Sequence, residues 1–433
     1  MFCRNFIQKG FVDMSLHRKP MPVPDAVNSV MNYKKKAEGE ILPLEFCDNR
    51  TLAEDIVATH PVPPFNKSPY DGFALRSEDT EGLSKEKSGQ FRVTETVGAG
   101  HRASRPIKEG EAVRIMTGAE IPSGADCVAM FEICQTYEQD GQSWMSLKRP
   151  MEVNQNIIQQ GSETKESDVL VEAGTKVNPG VKALLATFGY SDVNVYKKPV
   201  IGVFATGTEL LDVDEPLEPG KIRNSNAYMI VSQVKRAGGE AHYFGKLEDD
   251  FDVCYQSVSE ALDKVDVLIT TGGVSVGDYD LMPDIYEKLE ADVLFNKVAM
   301  RPGSVTTVAS YQGKLLFGLS GNPSACYVGF ELFTYPIILS YLGRSEPFHQ
   351  RIQATLGKDF KKPNPFTRFV RGYLRYQEGR VIVDPVGMDK SAVVSSLAHT
   401  NVLIMLPGGT RGYEKGDNVE ALLLEDQTGQ ESF

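Results

Sequence analysis

The sequence predicts a multidomain protein of the α/β plus β class, centred on a three-layer α/β/α region. Three observations predict it. Between Val200 and Leu342, short β-branched apolar runs alternate with segments of helical period, the rhythm of βαβ units on a sheet of parallel strands. Before that region, Phe91 to Lys148 breaks into short β-rich pieces punctuated by glycine and proline. After it, from about Phe348, a β rhythm returns. A chain of 433 residues has room for about two to four domains.

Taken in order, Pro24 to Lys36 sets Ala26, Val27, Val30 and Met31 at helical spacing, with Pro24 suited to a first turn and Lys34, Lys35 and Lys36 on a solvated face. His60-Pro-Val-Pro-Pro-Phe65 is an extended connection stiffened by proline. Arg92 to Val97, Ala112 to Met116 and Asp126 to Met130 read as strands of a small all-β module. Asn178-Pro-Gly180 opens a helix by N-cap and first-turn proline, and Gly189 closes it. Lys198-Pro199 marks a join.

Strands then follow at Val200 to Ala205, Glu240 to Phe244, Val267 to Thr271, Val305 to Ala309 and Leu315 to Leu319. Helices are expected at Asn226 to Ala237, at Asp252 to Leu262, and over a long apolar stretch from Pro323 to Leu342 that Pro336 should kink. Arg351 to Leu356, Phe369 to Tyr376, Val381 to Val383, Val402 to Leu406 and Val419 to Leu424 suggest a terminal barrel or sandwich. The two ends, Met1 to Asp13 and Glu425 to Phe433, read as loose tails.

Composition narrows the function. Apolar content of 41% and charged content of 24% are those of a soluble globular chain. A net charge of −12 argues against nucleic-acid binding by bulk positive charge. No apolar run is long enough to span a bilayer, since Phe330 to Leu342 is interrupted by Glu331 and Pro336. The six cysteines lack CxxC spacing, which fits reduced thiols in the cytoplasm rather than disulfides or a zinc site. The six histidines form no HExxH and give no support to a Ser/His/Asp triad.

The chemistry gathers at strand ends. If the strands are parallel, Ala205-Thr-Gly-Thr-Glu-Leu210, Leu247-Glu-Asp-Asp250 and Gly272 to Asp280 share the carboxyl edge of the sheet, where open α/β sheets bind ligands. Glu209, Asp249, Asp250, Asp278 and Asp280 would then converge, and carboxylates crowded in one cleft repel unless a cation joins them. Mg²⁺ bridging acids and a phosphate is the economical explanation. Lys297 and Arg301, before Pro302-Gly-Ser304, can supply positive charge to a phosphate or an oxyanion. Gly318-Leu-Ser-Gly-Asn-Pro-Ser324 opens the long helix, whose free N–H groups can receive an anion. Earlier, Lys67, Ser68 and Asp71 put a cation, a hydroxyl and a carboxylate into one tight turn. Each loop alone reads equally well as a capped turn; together they favour a site.

Pro69-Tyr-Asp-Gly-Phe-Ala74, Arg114-Ile-Met-Thr-Gly-Ala119 with Pro122 and Gly124-Ala-Asp126, Ala205 to Leu210, Gly220-Lys-Ile-Arg-Asn-Ser-Asn226, Thr271 to Asp280, Arg301-Pro-Gly303 and Gly318 to Pro323 strongly resemble the molybdopterin molybdenumtransferase family, whose relatives include the E-domain of gephyrin. The motifs occur in family order from about Arg18 onward.

The resemblance implies an enzyme of molybdenum cofactor synthesis. It would place molybdenum from molybdate on adenylylated molybdopterin and release AMP, with Mg²⁺ as cofactor. It also implies four domains. A linking domain spans 15–57 and 151–195, an inserted β-rich domain 58–150, an α/β molybdopterin-binding domain 196–345 and a C-terminal β-barrel 346–433. The implied assembly is a homodimer with a shared cleft. Implied partners are the preceding adenylyltransferase and downstream molybdoenzyme chaperones.

Position by position, Glu209, Asp249 and Asp280 match the family's acids and are assigned to the metal. Lys297 and Arg301 match the basic pair, and Asp71 and Thr117 match cleft residues of the inserted domain that would serve the partner's site. Thr206, Gly207, Ser225, Asn226, Gly272, Gly273, Ser275, Gly277, Pro302, Gly303, Gly321, Asn322 and Pro323 are assigned to substrate, with Arg371 and Ser391 of the terminal domain. The chain departs from the family pattern where Arg301 and Ser304 replace lysines and where Gly161-Ser-Glu163 stands for Gly-Glu-Asp. Two other activities share parts of this pattern, a molybdopterin adenylyltransferase and a gephyrin-like scaffold. Length and the Asp71 loop argue against the first, and the complete acidic set against the second.

Overall fold

The computed structural model describes residues 19–248, 250–273, 281–363 and 365–424. At its centre four strands run parallel, in the order Glu240–Leu247, Val200–Thr206, Val267–Thr271 and Lys314–Leu319. Val267–Thr271 is buried at every position, as expected where helices cover both faces of a parallel sheet. Alternate residues serve the two sides. Ile201, Val203, Val267, Ile269 and Phe317 pack with Ile230 and Val234 of the helix Asn226–Arg236 and with the 323–341 stretch. Phe204, Leu268 and Leu316 pack with Val258 of the helix Phe251–Leu262 and Ile285 of Met282–Lys288. These are the three layers.

The sheet departs from the all-parallel expectation at one end. Thr307–Tyr311 and Lys314–Leu319 form an antiparallel hairpin, and Asp292–Phe295 adds an outermost antiparallel strand. Gln312 and Gly313, at φ 49° and 76°, make the two-residue turn, a geometry whose twist suits a hairpin. The long helix is also not simply kinked. It runs as Pro323–Gly329, a π-helical turn at Phe330–Thr334, and Tyr335–Tyr341. Pro336 has no N–H and its ring crowds the preceding turn, so the widening falls just before it.

Gly39–Pro43 pairs with Asp192–Tyr196, and Ile56–Val57 with Val169–Val171. Leu52, Ile56, Val177, Leu185 and Val193 therefore share one core, although the β-rich module separates them in sequence. That module is a six-stranded sheet from Gly72–Leu75 to Gln142–Leu147. At the other end Arg351–Leu356, Thr367–Gln377, Arg380–Pro385, Val402–Leu406 and Asn418–Leu423 close into a five-stranded barrel. The barrel's Phe369, Leu403 and Leu422 join the core beneath the central sheet. No helix among the described residues is long and apolar enough to cross a membrane.

Candidate functional site

Pairing registers set the site. Thr206 lies opposite Leu247, Ala205 opposite Thr271, and Thr271 opposite Leu319, so these strands end together and release their loops at one edge. The loops enclose a cavity of about 710 Å³. Its wall includes Thr206, Gly207, Glu209, Ser225, Asn226, Gly272, Gly273, Gly321, Asn322 and Pro323, all expected from sequence.

Backbone geometry explains the glycines. Gly272 has φ +92°, and a Cβ there would fall 2.7 Å from both the carbonyl oxygen and Oγ1 of Thr206. Its N–H donates to the Leu319 carbonyl at 2.9 Å, tying two strand ends together. Gly207 leaves room for the carboxylate of Glu209, which folds back over it. Asn226, 7% exposed, donates through Nδ2 to the Gly321 carbonyl at 2.8 Å and so fixes the corner that opens the long helix.

The acids separate into two roles. Glu209 and Glu248 line the cavity, whereas Asp250 does not. Its Oδ1 accepts from the Val253 N–H at 3.0 Å and caps the helix Phe251–Leu262, so this acid, which the loop pattern counted among the converging carboxylates, serves structure. Asp249, Ser275, Gly277, Asp278 and Asp280 lie outside the described residues. Among the described residues no group of three or more His, Cys, Asp or Glu is placed to hold a metal.

The bases assigned to phosphate or molybdate are not part of the wall. Asp292–Phe295 is the outermost strand of the sheet, and the chain beyond it leads through Lys297 to Met300–Arg301, which pairs with Thr367–Arg368 of the barrel. Neither Lys297, Arg301, Pro302 nor Gly303 lines the cavity; Val305 from the same loop does. Gly303, at φ +84°, is needed for packing, because a Cβ would meet the Ala325 carbonyl oxygen at 3.2 Å.

Arg371 and Ser391 are also not among the residues of the wall. Arg371 is 1% exposed, and donates to Ser396 Oγ at 2.7 Å and to the Met388 carbonyl at 2.9 Å. Burial pushes its guanidinium down, while Asp389 opposes the shift. Its Nη1 is buried without a hydrogen-bond partner. Ser391 accepts through its carbonyl from the Ser324 N–H at 2.9 Å. That donor of the long helix is therefore engaged rather than free for an anion, which corrects the sequence reading at this position.

Asp71 and Thr117 meet each other in the β-rich module. The Thr117 N–H and hydroxyl both donate to Asp71 Oδ1, at 2.7 and 2.9 Å. These two bonds hold the carboxyl below its usual range, with Arg114 adding to the effect. The pair is exposed and does not line the cavity.

Sequence reasoning missed Arg223, Asn224, Glu248 and Cys254 in the wall. Asn224 caps the helix Asn226–Arg236, its Oδ1 accepting from the Ala227 N–H at 3.2 Å. Its place within the Gly220 to Asn226 motif, just before a helical period, was the signal that could have found it. Arg223 depends on a two-residue strand, Ile222–Arg223, too short for periodicity to reveal.

A chain with this sheet-edge cavity, an inserted β-rich module and a C-terminal barrel belongs to the class of multidomain α/β proteins described as molybdopterin-binding. Three family descriptions match it: "MoeA N-terminal region (domain I and II)" over residues 21–189, "Probable molybdopterin binding domain" over 202–340, and "MoeA C-terminal region (domain IV)" over 353–424. It is 56% identical over 414 residues to a molybdopterin molybdenumtransferase of Bacillus subtilis, covering 96% of each chain. It is 49% identical over 416 residues to that of Staphylococcus aureus strain COL, covering 96% of this chain and 98% of the other. A crystal structure of a molybdopterin biosynthesis MoeA protein from Pyrococcus horikoshii superposes with a TM-score of 0.83 at 28% identity, covering 94% of this chain and 100% of that one. The chain belongs to the molybdopterin molybdenumtransferase family.

Proposed function

We propose that the protein transfers molybdenum from molybdate to adenylylated molybdopterin and releases AMP, as a step of molybdenum cofactor synthesis in the cytoplasm. The observation that carries this reading is the cavity at the carboxyl edge of the sheet, within the stretch matched as a molybdopterin-binding domain. Its glycine corners let backbone approach a phosphate closely. Its wall carries the carboxylate of Glu209.

The donors present suit a hard cation. Glu209 and Glu248 carboxylates and the Thr206 and Thr208 hydroxyls are all oxygen ligands, and Mg²⁺ prefers one or two carboxylates while keeping several waters. We assign the metal to Glu209 with Asp249 and Asp280. When bound, Mg²⁺ would neutralise charge on the phosphoanhydride. The chain's own groups orient the substrate. Asn226 keeps Gly321 and Asn322 in place, and Gly272 and Gly273 bring the backbone against the phosphates. The orphaned Nη1 of Arg371 is a donor suited to an oxyanion, and we assign it, with Lys297, Arg301 and Ser391, to phosphate or molybdate. Asp71 and Thr117, ordered yet outside the cavity of their own chain, support a homodimer in which each module completes the partner's cleft.

The test is AMP release from adenylylated molybdopterin by purified protein, with molybdate and Mg²⁺ each added or withheld. Release that requires both is expected. No turnover by a well-folded preparation supplied with all three would refute the proposal.

A further inference from the structure

Among the described residues lining the cavity, Arg223 is the one Lys or Arg, set against the acids Glu209 and Glu248. It lies on the short strand Ile222–Arg223, which runs parallel to Leu210–Leu211 with Leu211 opposite Arg223. The Ile222 N–H donates to the Glu209 carbonyl at 2.9 Å. One small ribbon therefore carries both a cation and a carboxylate of the cavity wall.

The two side chains make separate contacts. Glu209 folds over Gly207, and Arg223 donates through Nη2 to the Glu215 carbonyl at 3.0 Å. No ion pair joins Arg223 to a described carboxylate. A guanidinium has five donors in a planar fork, and this contact occupies one arm. Nearby Lys246 behaves differently. Its ammonium lies 3.6 Å from Asp212 and 3.8 Å from Glu215, so its charge is compensated within the loop. A guanidinium without an ion pair, in a cavity whose other described charges are negative, is placed for an anionic ligand.

We propose that Arg223 clamps phosphate oxygens of the substrate's phosphoanhydride, a role that rests on the adenylylated substrate proposed above. The fork would bind two oxygens at once, leaving Glu209 to the metal. The contacted phosphate belongs either to the AMP half or to the pterin half, and the same chemistry serves both.

Two variants separate these outcomes, Arg223→Met and Arg223→Lys. The side chain is exposed, so both should melt within the range of ordinary surface changes. Titrations with AMP and with adenosine read the nucleotide half, and KM for the adenylylated substrate reads the whole. Arg223→Met should weaken AMP roughly tenfold, leave adenosine unchanged and raise KM. Arg223→Lys should fall between, since it keeps charge but loses the fork. A raised KM with unchanged AMP affinity keeps the clamp and assigns it to the pterin-side phosphate. Unchanged AMP affinity and unchanged KM overturn the clamp while leaving the transferase intact. Wild-type protein that releases no AMP removes the reading on which both stand.

Discussion

At the scale of single residues, two positions at the sheet edge carry different burdens and should fail differently. Gly272 is held at φ +92°, with no room for a Cβ beside the Thr206 carbonyl oxygen. Gly272→Ala forces a side chain into the left-handed region and into a backbone oxygen, so a loss of about 1–3 kcal/mol in urea unfolding is expected together with lost turnover. Glu209 is exposed and makes no described ion pair, so Glu209→Ala should keep its melting temperature while AMP release falls by at least roughly 100-fold. Wild-type rates from folded Glu209→Ala would overturn the proposed assignment of this carboxylate to a metal. Gly272 and Glu209 were both legible in sequence, because a glycine-rich polar loop after a buried strand has a mechanical reason to exist. Asp250 was not separable from its neighbours, since an N-cap aspartate and a metal-binding aspartate look alike until the hydrogen bond to Val253 is known.

At the scale of elements, buried and semi-buried charge fastens pieces that sequence shows only as separate runs. Glu331 sits in the π-helical turn, where its Oε2 lies 2.7 Å from His349 Nε2, and it accepts from Gln233 and Arg236 of the neighbouring helix. Burial raises its carboxyl, but His349, Arg236 and Gln233 outweigh that and hold it below the usual range. The connector to the barrel, the helix Asn226–Arg236 and the long helix thus meet on one carboxylate. Glu331→Gln would leave buried positive charge uncompensated, and a loss of about 3–5 kcal/mol in denaturant unfolding is expected. In sequence Glu331 was visible merely as an interruption of an apolar run; its partners are 95 and 18 residues away.

The β-rich module has its own clasp. Arg105, then Arg92 and the Lys108 N–H, lower the Glu111 carboxyl from 4.5 to about 2, against the opposing effect of burial. A carboxyl depressed on folding stabilises above its unfolded value and loses that contribution as pH falls towards the folded one. The module should therefore soften between about pH 4.5 and 2. Glu111→Gln should cost ~2 kcal/mol at pH 7, allowing for the exposure of both arginines, and flatten that acid limb in thermal melts.

At the scale of the whole molecule, the fold was legible where periodicity is local, and hidden where pairing is distant. The parallel strands and the barrel strands stood out by their own composition. The shared core of Leu52 and Val177 across the β-rich module did not, because no local pattern says which strand will find Asp192–Tyr196. The same distance problem bears on the active site. Asp71 and Thr117 are fixed to each other by two hydrogen bonds, yet lie outside the cavity that contains Glu209. If two copies complete each other's clefts, Asp71→Ala and Glu209→Ala damage different halves of one site. Mixed dimers, obtained by co-expressing the two variants with different tags, would then hold one site with both lesions and one with neither. Random pairing makes about half of the dimers mixed, so the preparation should regain roughly a quarter of wild-type AMP release, although each variant alone is inactive. Doubly tagged dimers, purified away from the rest, should reach about half. A monomer by light scattering, or mixed dimers as inactive as either parent, would place Asp71 outside the partner's chemistry and leave the cavity to work within one chain.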